Sequence, residues 1–147
     1  MPISNAWGMV TARHSGKILD VLGASKGSGA PLHQWKVIRD AMNQRFRFER
    51  LNDGFYRIRV MHTNKVLDVA DASGDNGAAI VQWDWHGGDN QRFRLEEVSD
   101  GFYQIRAKHS GRVLDVFGAS RDNGARIIQW DWLGGDNQRW RHGVPID

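Results

Sequence analysis

The feature that most constrains this chain is a stretch spelled three times. Val113 to Trp140 reads VLDVFGASRDNGARIIQWDWLGGDNQRW and lies without a gap on Val66 to Phe93, VLDVADASGDNGAAIVQWDWHGGDNQRF. A more divergent copy, ILDVLGASKGSGAPLHQWKVIRDAMNQRF from Ile18 to Phe46, carries one extra residue between Trp35 and Asn43. The aspartates at one register of the repeat, Asp20, Asp68 and Asp115, are 48 and 47 residues apart. A period of this length marks a supersecondary unit that buries its apolar face only against its copies. The chain has 147 residues and no Cys, so each third lacks the disulfide or Cys-bound metal that a unit of its size needs to fold alone. A single domain over residues 1–147 is expected, built of repeats 1–49, 50–97 and 98–147.

Within each repeat the hydrophobic pattern has period two. Tyr56, Ile58 and Val60 alternate with Arg57 and Arg59, and Tyr103, Ile105 and Ala107 with Gln104 and Arg106. The pattern marks half-buried strands, and the Asp-Gly pairs Asp53-Gly54 and Asp100-Gly101 supply the turns that introduce them. The first copy keeps the pattern weakly, in Val10 and Ala12. After a tight turn (HSGK, HTNK, HSGR) comes a second strand in which Leu19, Leu67 and Leu114 point inward. The Asp that follows each Leu is thrown to the other face. A small-residue loop, a third strand ending at Trp35, Trp83 or Trp130, a turn and a fourth strand complete the unit. No segment sustains a helical period. Twelve short strands in three equivalent sets predict an all-β chain and, among closed β architectures, a β-trefoil with pseudo-threefold symmetry.

The formal charge of +3 and a pI near 9.6 raise the question of polyanions. The basic residues are interleaved with acids and recur in register, as Arg45, Arg92 and Arg139 do, and no Lys/Arg block forms a phosphate-binding arm. Nucleic acid is therefore not the expected partner. The segment MPISNAWGMV lacks the charged region and apolar run of a signal peptide, and no stretch approaches a membrane span. The expectation is a cytoplasmic protein, or one released without a classical signal peptide, with no membrane insertion.

Catalytic and metal motifs fail on context. Gly23 to Gly27 spells G-x-S-x-G, but no helix follows, as a nucleophile elbow requires, and the same loop elsewhere reads DASGD and GASRD. His14, His62 and His109 share a register just before a hairpin turn, where a side chain bonding to backbone is the expected role rather than a metal ligand. Asp71 to Gly77 lacks the alternating acidic spacing of a calcium loop. The chain is expected to need no metal or cofactor and to catalyse nothing.

A different constellation recurs in every copy: an Asp on the second strand, a Trp fifteen residues later and an Asn-Gln pair after the next turn. These are Asp68, Trp83, Asn90 and Gln91 in repeat two and Asp115, Trp130, Asn137 and Gln138 in repeat three, with Asp20, Trp35, Asn43 and Gln44 in repeat one. An ionised carboxylate accepts hydroxyl protons, an amide both donates and accepts, and an indole covers the C–H face of a pyranose. Phe46, Phe93 and Trp140 are expected in the core.

Gln44-Arg45-Phe46, Gln91-Arg92-Phe93 and Gln138-Arg139-Trp140, together with the repeated LDV…NG…QW…DNQxW, resemble the threefold Gln-x-Trp hallmark of the ricin-type (R-type) lectins and related carbohydrate-binding modules. The resemblance spans essentially the whole chain. It implies a β-trefoil that binds galactose, N-acetylgalactosamine or related glycans in up to three shallow pockets. In those pockets the Asp bonds to the sugar, the Trp stacks on it, the Asn bonds to a hydroxyl, and the Gln is more structural. Glycans or glycoconjugates are the implied partners. Three departures bear on the pockets. The disulfide many members carry in each repeat is missing, with Trp85 and Trp132 standing where a cysteine would be and expected to pack over Val66 and Val113. His33, Val81 and Ile128 replace a polar residue two positions before the stacking aromatic. Repeat one has the insertion, lacks the Asn-Gly of its loop and has Val37 for the extra Trp, so its pocket is expected to be altered. Two alternatives stand beside the lectin reading: an interaction module for polyanions or a protein partner, and the targeting module of a larger glycosidase or toxin.

Overall fold

The computed structural model describes residues 3–143. Twelve strands run through them: β1 (Met9–Ala12), β2 (Ile18–Val21), β3 (Leu32–Trp35), β4 (Phe46–Arg50), β5 (Tyr56–Val60), β6 (Val66–Val69), β7 (Ile80–Trp83), β8 (Phe93–Ser99), β9 (Phe102–Ala107), β10 (Val113–Val116), β11 (Ile127–Trp130) and β12 (Trp140–Gly143). The only helical pieces among the described residues are single 3₁₀ turns.

Six strands close a barrel by antiparallel pairing. β12 pairs β1, β4 pairs β5, β5 meets β8, β8 pairs β9 and β9 meets β12, while a bridge from Gly8 to Phe46 joins the first and fourth staves. The remaining strands form three hairpins, β2–β3, β6–β7 and β10–β11. These meet one another through the bridges Pro31–Val81, Ala79–Ile128 and His33–Arg126, capping one end of the barrel. Closure removes the free sheet edges that would otherwise template aggregation, and the arrangement is the expected β-trefoil.

The core is built in threefold layers. Phe46, Phe93 and Trp140 open the fourth strand of each repeat and are fully buried, as are Leu19, Leu67 and Leu114 from the second strands and Leu32, Ile80 and Ile127 from the third. Trp140 alone of its layer carries a donor, and its indole N–H meets the Leu114 carbonyl at 3.1 Å, so the larger ring is buried with no unpaired polar group.

Adjacent repeats are stitched at three equivalent junctions. Gln34 donates its amide to the Ser120 and Asp122 carbonyls, Gln82 to those of Ser25 and Gly27, and Gln129 to those of Ser73 and Asp75. Ser15, Thr63 and Ser110 donate to the other end of the same amides. His14, His62 and His109 donate Nε2–H to the Ser120, Ser25 and Ser73 carbonyls at 2.7, 2.8 and 2.7 Å. The three histidines of one register thus bind backbone, each at its own junction. Because each loop is held by the repeat that follows it in the ring, a change in one loop is felt at a neighbour's site.

Candidate functional site

Each hairpin of the cap carries a hollow of about 400 Å³. In repeat two it is lined by Asp68, Val81, Trp83, His86 and Asn90 with the loop residues Ala70 to Ala72. In repeat three the lining is Asp115, Phe117, Ile128, Trp130, Leu133 and Asn137, and in repeat one Asp20, His33, Trp35, Ile38 and Asn43. The structure therefore brings together the predicted Asp, Trp and Asn of every repeat.

The aspartates sit deeper than strand alternation alone suggests. All four residues of β2, β6 and β10 are buried, and Asp20, Asp68 and Asp115 are only 4, 4 and 6 % exposed. The face opposite the core Leu is roofed by the loop after the strand and by the Asn-Gln turn, so the carboxylate becomes the floor of a pocket. Such a charge needs donors, and the predicted Gln residues supply them. Gln44, Gln91 and Gln138 donate to Oδ2 of Asp20, Asp68 and Asp115 at 2.8, 2.9 and 2.8 Å. The same amides donate to the carbonyls of Lys36, Asp84 and Asp131 and accept from the backbone of Ile38, His86 and Leu133. With at most 1 % of their surface exposed, the three glutamines lie behind the carboxylates and hold them; they do not line the pockets as ligand contacts. Burial pushes the carboxyls of Asp68 and Asp115 above their ordinary value, against the lowering effect of Gln91 and Gln138.

Asn43, Asn90 and Asn137 are fixed by a bond from Nδ2 to the carbonyl of Val21, Val69 or Val116, each 3.1 Å long. The tryptophans stand at the rim. Their far edges rest near a glycine of the preceding repeat's loop: Trp83 near Gly29, Trp130 near Gly77 and Trp35 near Gly124. A Cβ at Gly29 would only touch Trp83, at 3.5 Å, but the backbone lies at φ 93°, and it is this conformation that favours glycine there. Trp83 is 43 % exposed, a wall offered to solvent rather than packed in the core.

The loop opposite the Trp carries backbone strain in the same place three times. Ala24, Ala72 and Ala119, which line the three hollows, lie at φ 50°, 50° and 51°. Each follows a left-handed residue: Gly23, Asp71 or Gly118. An L-residue in that region costs on the order of 1 kcal/mol, and strain of this kind gathers at ligand-binding loops. In the sequence this element shows only as the shared G/D-A-S tripeptide.

The pockets are not equal. In repeat one His33, opposite Asp20 across the hairpin, is buried and donates Nε2–H to Asp20 Oδ1 at 2.7 Å. Its ring stacks on Trp35, with centroids 5.3 Å apart at 24°. Val81 and Ile128 hold the equivalent places opposite Asp68 and Asp115. Repeat two has His86 beside its carboxylate, 3.8 Å from Asp68 Oδ2, where repeat three has Leu133. Trp85 and Trp132 have Arg92 and Arg139 against their rings at 5.4 Å, and Trp85 also has Arg57 at 5.0 Å.

The sequence matches the model of the ricin-type β-trefoil lectin domain-like family in three overlapping segments, residues 4–83, 42–130 and 89–146. Comparison with the curated proteins returned no match. Among solved structures, the chain is similar to the designed threefold-symmetric protein ThreeFoil, with 44 % identity over 95 % of this chain and 99 % of that one and a TM-score of 0.90. It is also similar to an exo-β-1,3-galactanase from Clostridium thermocellum, with 30 % identity and a TM-score of 0.91; the alignment covers 99 % of this chain but 31 % of that enzyme. A ricin B-like lectin of Macrolepiota procera, solved in complex with lactose, shares 17 % identity and a TM-score of 0.80 over 99 % of both chains, a likeness of fold alone.

Proposed function

The chain belongs to the ricin-type β-trefoil lectin domain-like family, and from that premise we propose that it is a non-catalytic lectin binding galactose- or N-acetylgalactosamine-type glycans in the hollows of repeats two and three. The observation that carries the reading is the carboxylate floor beside an indole wall. Asp68 and Asp115 have Oδ2 fixed by a buried Gln, and Asp115 Oδ1 also accepts from Asn137 Nδ2 at 3.3 Å; a carboxylate accepts at about four lone-pair sites, so acceptor capacity remains toward the hollow. Trp83 and Trp130 stand at the rim, and Asn90 and Asn137 complete the lining. A sugar bonds two hydroxyls to such a floor while its C–H face covers the ring. The lactose complex of the Macrolepiota procera lectin and the galactanase likeness favour a galactose-type ligand.

Cleavage of a glycosidic bond takes two carboxyl groups flanking it, and Asp115 is the one acid lining the repeat-three hollow. Binding without catalysis is what that pocket supports. Two or three hydrogen bonds and one stacked ring hold a monosaccharide with a dissociation constant on the order of millimolar. Two pockets engaging one glycan surface multiply this by about a hundredfold or more.

A glycan array read at low and high salt tests the proposal. Retained binding to glycans with terminal galactose or N-acetylgalactosamine at high salt is the expected result. Signal confined to sulfated or sialylated glycans and abolished by salt would replace it with the polyanion-binding module, because phosphate- and sulfate-driven contacts weaken steeply with ionic strength.

A further inference from the structure

Outside the three hollows, the outer face of the β4–β5 hairpin carries a cluster that the sugar sites do not use. Arg47 lies opposite Arg59 and Glu49 opposite Arg57 in the antiparallel register, so the four side chains share one face while Phe46, Phe48, Ile58 and Val60 take the core. Glu49 is the hub. Arg47 donates to Oε2 through Nε and Nη2 at 2.9 and 2.6 Å, and Arg57 and Arg59 donate Nε to Oε1 at 2.7 and 2.9 Å. Burial alone would raise the Glu49 carboxyl, but the bonds from Arg57, Arg59 and Arg47 bring it down to about 2. The carboxylate is therefore ionised and saturated at any physiological pH.

Three guanidiniums on one carboxylate leave positive charge uncompensated, and their geometry is set from a second side. Arg47 lies 4.5 Å from the Trp7 ring centroid and Arg57 5.0 Å from that of Trp85. Arg50, exposed and making no bond to Glu49, joins them around a cleft of about 550 Å³ lined also by Ile3, Asn5 and Tyr56. A guanidinium pinned on one edge by a carboxylate and on its face by an indole keeps its other N–H edge for a ligand, with little entropy left to lose.

The cluster is not an accident of the repeat. The same four positions read Arg94, Glu96, Gln104 and Arg106 on β8–β9, and Arg141, Gly143, Met9 and Thr11 on β12–β1. The third arginine on one carboxylate occurs only on β4–β5. Close by, Asp53 is taken by Arg92 and Lys108, so the excess charge is confined to a concave spot rather than drawn out into the basic stripe that a nucleic-acid backbone follows.

We infer that this cleft is an oxyanion site that takes the sulfate ester of a glycan, through the free edges of Arg47, Arg50 and Arg57. The oxyanion chemistry stands on the arginines; that a saccharide carries it rests on the lectin reading above. A sulfated glycan would then be gripped at two kinds of site on one molecule, neutral residues in the hollows and an acidic residue on the barrel wall.

The test uses the full chain and a heparin-derived tetrasaccharide, titrated calorimetrically at low salt beside inorganic sulfate, a short DNA duplex and phosphatidylserine vesicles. Loss of two charge-assisted contacts in Arg50→Gln/Arg57→Gln is expected to weaken the tetrasaccharide about tenfold or more. The matched pair Arg94→Gln/Arg106→Gln is expected to stay within about twofold of wild type, and saturating galactose, which would fill the hollows, is expected not to displace the tetrasaccharide. Equal losses from both arginine pairs would reduce the effect to diffuse charge and overturn the site. Displacement by galactose would put the sulfated sugar in the hollows instead. Inorganic sulfate, duplex or vesicles binding more tightly than the tetrasaccharide through the same arginines would overturn the saccharide assignment. Thermal melting accompanies each variant. Arg50→Gln alone, outside the Glu49 network, carries the test if Arg57→Gln does not fold. A wild-type chain that binds galactose and ignores the tetrasaccharide refutes the cleft and spares the lectin; the opposite outcome does the reverse.

Discussion

Repeat one and repeats two and three hold their aspartates with the same buried glutamine, yet they differ in what faces the carboxylate across the hairpin. Val81 and Ile128 leave Asp68 and Asp115 open toward their hollows, whereas His33 donates to Asp20 and stacks on the ring that a sugar would cover. The insertion in repeat one is not the cause. Gln44 still clasps the Lys36 carbonyl and the Ile38 N–H, so the extra residue falls beyond the clasp, among Arg39 to Met42. What separates the pockets is one side chain on the third strand. Scaffold and recognition are thus carried by different residues of the same repeat.

The largest effect that would sharpen this distinction is on stability. Gln91→Ala strips a buried carboxylate and three backbone groups, the Asp84 carbonyl and the His86 and Gly87 N–H groups, of a partner and should cost about 2–3 kcal/mol in urea unfolding. Gln44→Ala should cost as much, because the network is the same, although only Gln91→Ala removes a pocket that binds. A much smaller loss in Gln44→Ala would show that repeat one is already slack. On binding, Asp68→Ala/Asp115→Ala should lower galactose affinity by more than about tenfold with the fold retained, and Asp20→Ala should leave it unchanged; calorimetry distinguishes these outcomes.

Acidity separates fold from function. Burial raises the carboxyls of Asp68 and Asp115 above 3.8 in the folded state. As pH falls through those raised values the floor gains protons and sugar affinity drops, at a higher pH than an unperturbed aspartate would give. The same shift means that the folded chain takes up these protons before the unfolded chain does. Their contribution to stability therefore grows as pH falls through this window and is lost as pH rises through the folded values. Binding that weakens from pH 7 to 4 while the melting temperature of the wild type rises relative to that of Asp68→Asn/Asp115→Asn is the expected pattern; the comparison cancels the opposite trend of Glu49, whose lowered carboxyl costs stability as pH falls.

The smallest effect concerns the loop. Asn123 accepts the Lys36 N–H and Asn76 the Asp131 N–H, each fastening a loop to the next repeat's third strand. Ser28 holds the equivalent position in repeat one, and Asp84 is the counterpart of Asp131 in repeat two. Ser28→Asn should stabilise the chain by about 1 kcal/mol, read as an upward shift in melting temperature; no shift would mean that the loop of repeat one closes on repeat two by other means.

The repeat made the trefoil and the Asp, Trp and Asn of each pocket legible in the sequence, because register places equivalent residues in equivalent positions. The loss of Asn-Gly from repeat one was visible too, but its consequence was not. Ser28 lies in the repeat-one loop beside Gly29, which borders Trp83 of repeat two, a connection made by tertiary stitching that no local pattern encodes. Strand alternation assigned the aspartates to the face away from the core without showing that loop and turn bury that face. The saturation of Glu49 depends on three arginines converging across a hairpin, which the sequence displays only as alternating charge.

The most direct test follows the indole N–H signals of Trp35, Trp83 and Trp130 by NMR during a galactose titration of the wild-type chain and of His33→Val. Shifts at Trp83 and Trp130 alone in the wild type, joined by Trp35 in the variant, are the predicted result. Trp35 moving in step with the others in the wild type, or remaining silent in the variant, would contradict the claim that His33 sets repeat one apart.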